Sequence, residues 1–171
     1  MRYNVWMTDT LTQSRLKDLI HYDPHTGAFT WAKARPGAAL GAPCGRVSKT
    51  TGYRDIGVDK KLHRANRLAW LYMTGEWPDG QVDHKNRIKH DDRWDNLRLA
   101  TRSQNGANVD TKESNTSGHV GVSWDKGRQK WLAQIRIGGI KKNLGRFTEK
   151  ADAIAKYQEA AKSEFGEFSN A

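Results

Sequence analysis

Four residues have side chains that could act together: the adjacent Asp83 and His84, Asn96 twelve positions after His84, and Asn105 nine positions after that. They lie in VDHKNRIKHDD (residues 82–92) and DNLRLATRSQN (residues 95–105), segments dense in acids, imidazoles and amides. A carboxylate and an amide oxygen are hard ligands of the kind magnesium or manganese takes, and so few protein ligands leave positions for phosphate and water. An imidazole beside them can take a proton from such a water near neutral pH. The competing reading is a solvated polar loop.

The elements around these residues must bring them together. Thr101 and Gln104 have the spacing of a capping box, which begins a helix at Thr101 and puts Asn105 in its first turn. Adjacent residues on a regular strand point to opposite faces, so Asp83 and His84 are expected where a strand ends or bulges. Upstream, Leu11 and Leu16 flank Thr12 as a hydrophobic staple flanks an N-cap, predicting a helix over about 13 to 21 with Leu16, Leu19 and Ile20 inward. HTGAFTW reads as a turn and a strand, residues 35 to 52 as loop, and YRDIGV through LH as a hairpin. RANRLAWLYMTG then has helical spacing, with Ala65, Leu68, Ala69 and Tyr72 on one side and Gly75 past its end.

The chain has 171 residues, a formal net charge of +10 and a sequence pI near 9.8. That excess favours a polyanionic partner, nucleic acid before membrane surface. No apolar run approaches a membrane span and MRYNVWMTDT lacks a signal-peptide core, so an intracellular, non-secreted protein is expected. A single cysteine, Cys44, excludes an internal disulfide and a cysteine-rich zinc site, leaving carboxylate, amide or imidazole to hold any metal.

Taken in order, LTQSRLKDLIHYDPHTGAFTW, RLAWLYMTGEWPDGQVDH and DNLRLATRSQN resemble the HNH endonucleases with the beta-beta-alpha-metal motif, especially the phage and intron-encoded homing type, over about residues 11 to 109. Carried over position by position, the resemblance implies Asp83 and Asn105 as ligands of one divalent ion, His84 as general base, and Asn96 as the amide that pins the intervening loop. The implied reaction is phosphodiester hydrolysis, with the metal offsetting charge at the scissile phosphate and leaving oxygen. The chain departs from the pattern at two places. Asn66 stands where the family places a His, with His63 three residues earlier, and Asp92 stands at its second loop carboxamide. Asn66 could keep a hydrogen bond, His63 could substitute, or activity could be weakened; His90, Asp91 and Asp92 read as loop surface.

Residues 106 to 117 read as a linker, and 114 to 147 then hold seven Lys and Arg against one acid, Asp125, a net of +6. HVGVSW, KWLAQIRI and KKNLGRF are strand-like runs with tight turns, and Glu149 to Glu164 carries Ala151, Ile154, Ala155, Ala161 and Phe165 at helical spacing. In the middle strand Trp131, Ala133, Ile135 and Ile137 alternate with Leu132, Gln134 and Arg136, giving one face to the helix and one to solvent. A sheet of that kind can enter a major groove, Arg reading guanine and Gln adenine.

GVSWDKGRQKWLAQIRIGGIKKNLGRF through EKADAIAKYQEAAKSEFGE resembles the plant ethylene-response-factor (APETALA-type) DNA-binding domain. The likeness implies DNA-facing roles for Ser123, Gln134, Arg136, Lys141 and Asn143, with Trp124, Lys126 and Arg128 near the same surface. Asn143 and Ser123 replace residues frequent in that family, so its target preference does not transfer.

The expectation is an α+β chain: a beta-beta-alpha-metal HNH nuclease domain with an N-terminal helix and strand extension over 1–109, a linker over 110–116, and over 117–171 a three-stranded antiparallel sheet packed on one helix. Its expected function is metal-dependent cleavage of double-stranded DNA, as a monomer or homodimer in the cytoplasm of a bacterial host. The alternative is a non-catalytic DNA-binding regulator with a decayed HNH unit.

Overall fold

The computed structural model describes residues 11–108 and 115–169. Most of the expected linker, residues 110 to 114, lies outside them. Contacts divide the chain between Leu99 and Ala100 into two units, each with its own apolar core. The chain is mixed α/β, built from small sheets.

In the first unit, α1 (Gln13–Leu19) starts at Thr12, whose hydroxyl accepts from the Arg15 N–H. The predicted helix ran to residue 21; it stops at Leu19 because Ile20 turns extended and enters β1 (Ile20–Tyr22), antiparallel to β2 (Phe29–Trp31). Pairing across the hairpin sends Ile20 and Tyr22 inward, which outweighs the helical preference of a single end residue. β3 (Arg46–Val47), in the stretch expected to be loop, joins β4 (Arg54–Val58) and β5 (Lys61–Arg64) in an antiparallel sheet of order β3-β4-β5. α2 (Ala65–Thr74) buries Ala65, Leu68, Ala69 and Leu71 and ends at Gly75 in the left-handed region, as a C-terminal glycine allows. β6 (Gln81–His84) and β7 (Leu97–Ala100) form a two-stranded sheet. Leu16, Ile20, Tyr22, Ile56, Leu68 and Leu71 are essentially fully buried. At about 1.5–3 kcal/mol for each large apolar side chain, this core is what holds the polar site to one geometry.

In the second unit, α3 (Arg102–Ala107) begins at the capping box: the Gln104 N–H donates to the Thr101 hydroxyl and the Thr101 N–H to the Gln104 side chain. β8 (Val122–Asp125), β9 (Lys130–Ile137) and β10 (Ile140–Phe147) make an antiparallel sheet of order β10-β9-β8, and α4 (Lys150–Phe165) packs on it. Val122, Ala133 and Ile135 meet a helical stripe of Ala153, Tyr157, Ala161 and Phe165. The stripe anticipated through Ala151 and Ala155 is wrong: both are exposed, because Tyr157 sets the rotation of the helix. Gly121, at φ +73°, must be glycine, since a Cβ there would lie 2.1 Å from the Tyr157 ring.

Candidate active site and nucleic-acid face

Buried polar side chains are rare unless paired, and among the described residues the first unit concentrates six of them: His63, Asn66, Asp83, His84, Asp92 and Asn96. Asp83 and His84 are the last two residues of β6, where the strand gives way to the loop of residues 85–93. The strand end lets both side chains be buried although they are neighbours in sequence.

Asn96 closes that loop. Its Oδ1 accepts from the Asn86 N–H at 3.0 Å, its Nδ2 donates to Asn86 Oδ1 at 3.0 Å and to the Asp91 carbonyl at 2.7 Å, and its own carbonyl accepts from the Lys85 N–H at 2.9 Å. The loop is thus tied back to the residue that precedes β7. Asp91 adds a second tie, accepting from Asn86 Nδ2 at 2.6 Å and from both ends of the Arg93 guanidinium fork. That guanidinium, foremost, holds the Asp91 carboxyl down at about 2.

Two charged neighbours of the Asp83-His84 pair were not anticipated. Arg98, between two leucines on β7, donates from Nε to Asp83 Oδ2 at 3.0 Å. Asp92 is the larger correction: expected on the loop surface, it is only 1% exposed, and its Oδ1 lies 3.2 Å from His84 Nε2. Its Oδ2 faces Arg54 Nε at 3.5 Å, and among the described residues neither of those two atoms has a hydrogen-bond partner. The Tyr22 hydroxyl donates to the Asp92 carbonyl at 2.6 Å, and burial, then the nearby carboxylates, push that hydroxyl well above its ordinary range, so it stays a donor. Periodicity did not mark Asp92, one acid in the run HDDR; its place at the second loop carboxamide of the resembled motif was the signal that could have. His90 is exposed. Tyr53 lies beside the imidazole, ring centroids 5.9 Å apart.

At the family's missing His, Asn66 is buried and its Nδ2 donates to the carbonyl of Val82, the residue before Asp83, at 2.9 Å. His63 stacks on Trp77 instead. Asn105 lies half-buried in α3, one turn from its cap.

The Asp83 carboxylate and the Asn105 amide are each hard oxygen donors of the kind a magnesium or manganese ion takes, and Asp83 Oδ2 accepts from Arg98 Nε. Among the described residues no three His, Cys, Asp or Glu gather into a closed metal cage.

In the second unit, directly opposed residues of antiparallel strands share a face. The register pairs Ser123 with Leu132, Gln134 with Asn143, and Arg136 with Lys141, so all five of the principal predicted contact residues stand on the sheet face away from α4. Trp124 does not: it opposes Trp131 on the other face, the two rings edge-on at 5.1 Å. Lys126 and Arg128 occupy the β8–β9 turn, and Asp125, the sole acid of residues 114–147, takes Arg146 at 2.8 Å and Arg128 at 3.6 Å. A groove of about 1240 Å³ within this unit is lined by Arg102 and Ser103 of α3 and by Gln134, Arg136 and Lys141. Ser103 Oγ accepts from the Gly138 N–H at 2.9 Å, tying α3 to the β9–β10 turn.

Residues 63–107 match the HNH endonuclease family, a span that runs from β5 through α3. The chain is also 36% identical to Protein 3.8 of Escherichia phage T7 over 85 residues, which are 49% of this chain and 70% of that protein. The chain therefore belongs to the family of Protein 3.8 and carries an HNH endonuclease domain at residues 63–107. No solved structure matches it. Among the described residues, no helix is long and apolar enough to cross a membrane.

Proposed function

We propose that the chain is a metal-dependent DNA endonuclease of the HNH type. The observation that carries this reading is the buried Asp83-His84 pair at the end of β6, inside the span that matches the HNH family. In it Asp83 and Asn105 hold one magnesium or manganese ion, His84 takes a proton from the attacking water, and Asn96 keeps the loop that frames them. The bound ion offsets charge on the phosphate and leaving oxygen. The burial of Asp83, His84 and Asn96 strengthens their interactions by keeping bulk water away.

The second unit binds double-stranded DNA through Ser123, Gln134, Arg136, Lys141 and Asn143, with Lys126 and Arg128 on the backbone, in the manner of an ethylene-response-factor sheet. The shared face of these residues and the net positive charge support this part. A tethered reader raises the local concentration of a catalytic unit that makes mostly backbone contacts. Functionally the nuclease is taken as residues 1–109 and the reader as 117–171.

Supercoiled plasmid incubated with and without magnesium or manganese tests the reading. Metal-dependent relaxation or linearisation, lost in His84→Ala while DNA binding stays, is the expected result. Binding without cutting would instead identify a DNA-binding regulator with a decayed HNH unit.

A further inference from the structure

We infer that Asp92 is the positioning residue for His84, and that the N-terminal hairpin exists in part to hold it there; this rests on His84 being the base. A carboxylate only accepts, so the 3.2 Å approach of Oδ1 to His84 Nε2 requires the proton on Nε2 and makes Nδ1 the nitrogen that carries the lone pair. Both side chains are at least 97% buried, so the bond is shielded and fixes ring rotation as well as tautomer.

Asp92 is itself held from three sides. Arg54 Nε faces its second oxygen at 3.5 Å, which keeps a buried charge compensated. The Tyr22 hydroxyl, on β1, takes its carbonyl. Gly27, in the β1–β2 turn, comes so close that a Cβ would meet the Asp92 carbonyl carbon at 2.7 Å and the Arg93 nitrogen at 2.6 Å. The Trp94 N–H donates to the Pro24 carbonyl at 2.9 Å in the same turn. HYDPHTGAF therefore serves as the backstop of a residue seventy positions away.

Asp92→Asn is isosteric but reverses this logic. Its amide oxygen turns to Arg54 and its NH2 to His84, so the ring must place its proton on Nδ1, as an Asp-to-Asn change behind a catalytic histidine does elsewhere. Long-range 1H–15N correlation of the histidine ring in the metal-free protein, at mildly alkaline pH, reads the tautomer directly. The expected result is the Nε2–H tautomer in the wild type and the Nδ1–H tautomer in Asp92→Asn. Cleavage kcat should fall at least about 100-fold, with KM and DNA affinity within about threefold. Arg54→Gln added to Asp92→Asn frees the amide oxygen for His84 and should restore the first tautomer and part of kcat.

An Nδ1–H ring in the wild type, or a kcat unchanged by Asp92→Asn, overturns the inference. Cleavage surviving in His84→Ala overturns the base assignment instead, and the ring spectra separate the two failures because they do not depend on turnover.

Discussion

Arg98 Nε donates to Asp83 Oδ2 at 3.0 Å, and the pair is almost wholly buried, with side-chain exposures of 10% and 5%. Removing one partner of a buried ion pair leaves an uncompensated charge and costs about 3–5 kcal/mol. Arg98→Ala should therefore lower the thermal midpoint of the metal-free protein markedly. Added magnesium should recover more of that loss in the variant than it adds to the wild type, because a divalent ion supplies the missing charge at Asp83. Equal magnesium shifts in the two proteins would argue against Asp83 as a metal ligand.

The Asp91 clamp gives a pH prediction. Arg93 first, then Asn86, hold the Asp91 carboxyl at about 2, below the ordinary carboxylate range. A group whose pKa is depressed by folding stabilises the native state above its unfolded pKa, near 4, and the gain disappears as pH falls toward 2. Between those limits the wild type should lose about 1 kcal/mol more stability than Asp91→Asn, the modest figure reflecting an Arg93 side chain that is 53% exposed. Urea midpoints measured across that range check it; parallel curves would show that the clamp does not stabilise the fold.

What was readable from the residues alone follows the range of the forces involved. The capping box at Thr101 and the alternation of β9 depend on neighbours a few positions apart, and both stand in the structure. Ile20 was misread because its strand pairing is made with Trp31, across a turn whose closure local helical spacing does not report. Asp92 was misread for a stronger reason. Its burial is decided by His84, Arg54 and Tyr22, from three separate elements, and no local pattern reports their convergence. The family likeness put Trp124 near the surface of Ser123, but adjacent residues on a strand take opposite faces, and Trp124 opposes Trp131.

Gly27 offers a test of the backstop that leaves the site residues intact. At φ +72° any side chain is strained, by about 1–2 kcal/mol, and here its Cβ would also strike the Asp92 and Arg93 backbone. Gly37, at φ +80°, has nothing within 4 Å of an added Cβ and serves as the control. Gly27→Ala should cut cleavage at least about tenfold more than Gly37→Ala at matched fraction folded, because a displaced Asp92 loses its line to His84. Comparable cleavage in the two folded variants would show that the hairpin supports the loop without setting the base.

The sheet face predicts two kinds of binding defect. Arg136 and Lys141 oppose each other on β9 and β10, yet a guanidinium can read guanine in a bidentate manner while an ammonium acts on phosphate as a point charge. Arg136→Ala should relax site preference, at a cost of about 1–3 kcal/mol on preferred sites and little elsewhere. Lys141→Ala should weaken all sequences alike and reduce the slope of log K against log salt by about one. Trp124→Ala, on the opposite face, should leave both quantities unchanged once folding is matched. Binding isotherms over a salt series, on a preferred and a scrambled duplex, resolve the three variants. Unchanged preference in Arg136→Ala would remove that residue from the reading surface, and a large loss in Trp124→Ala would move the interface to the other side of the sheet.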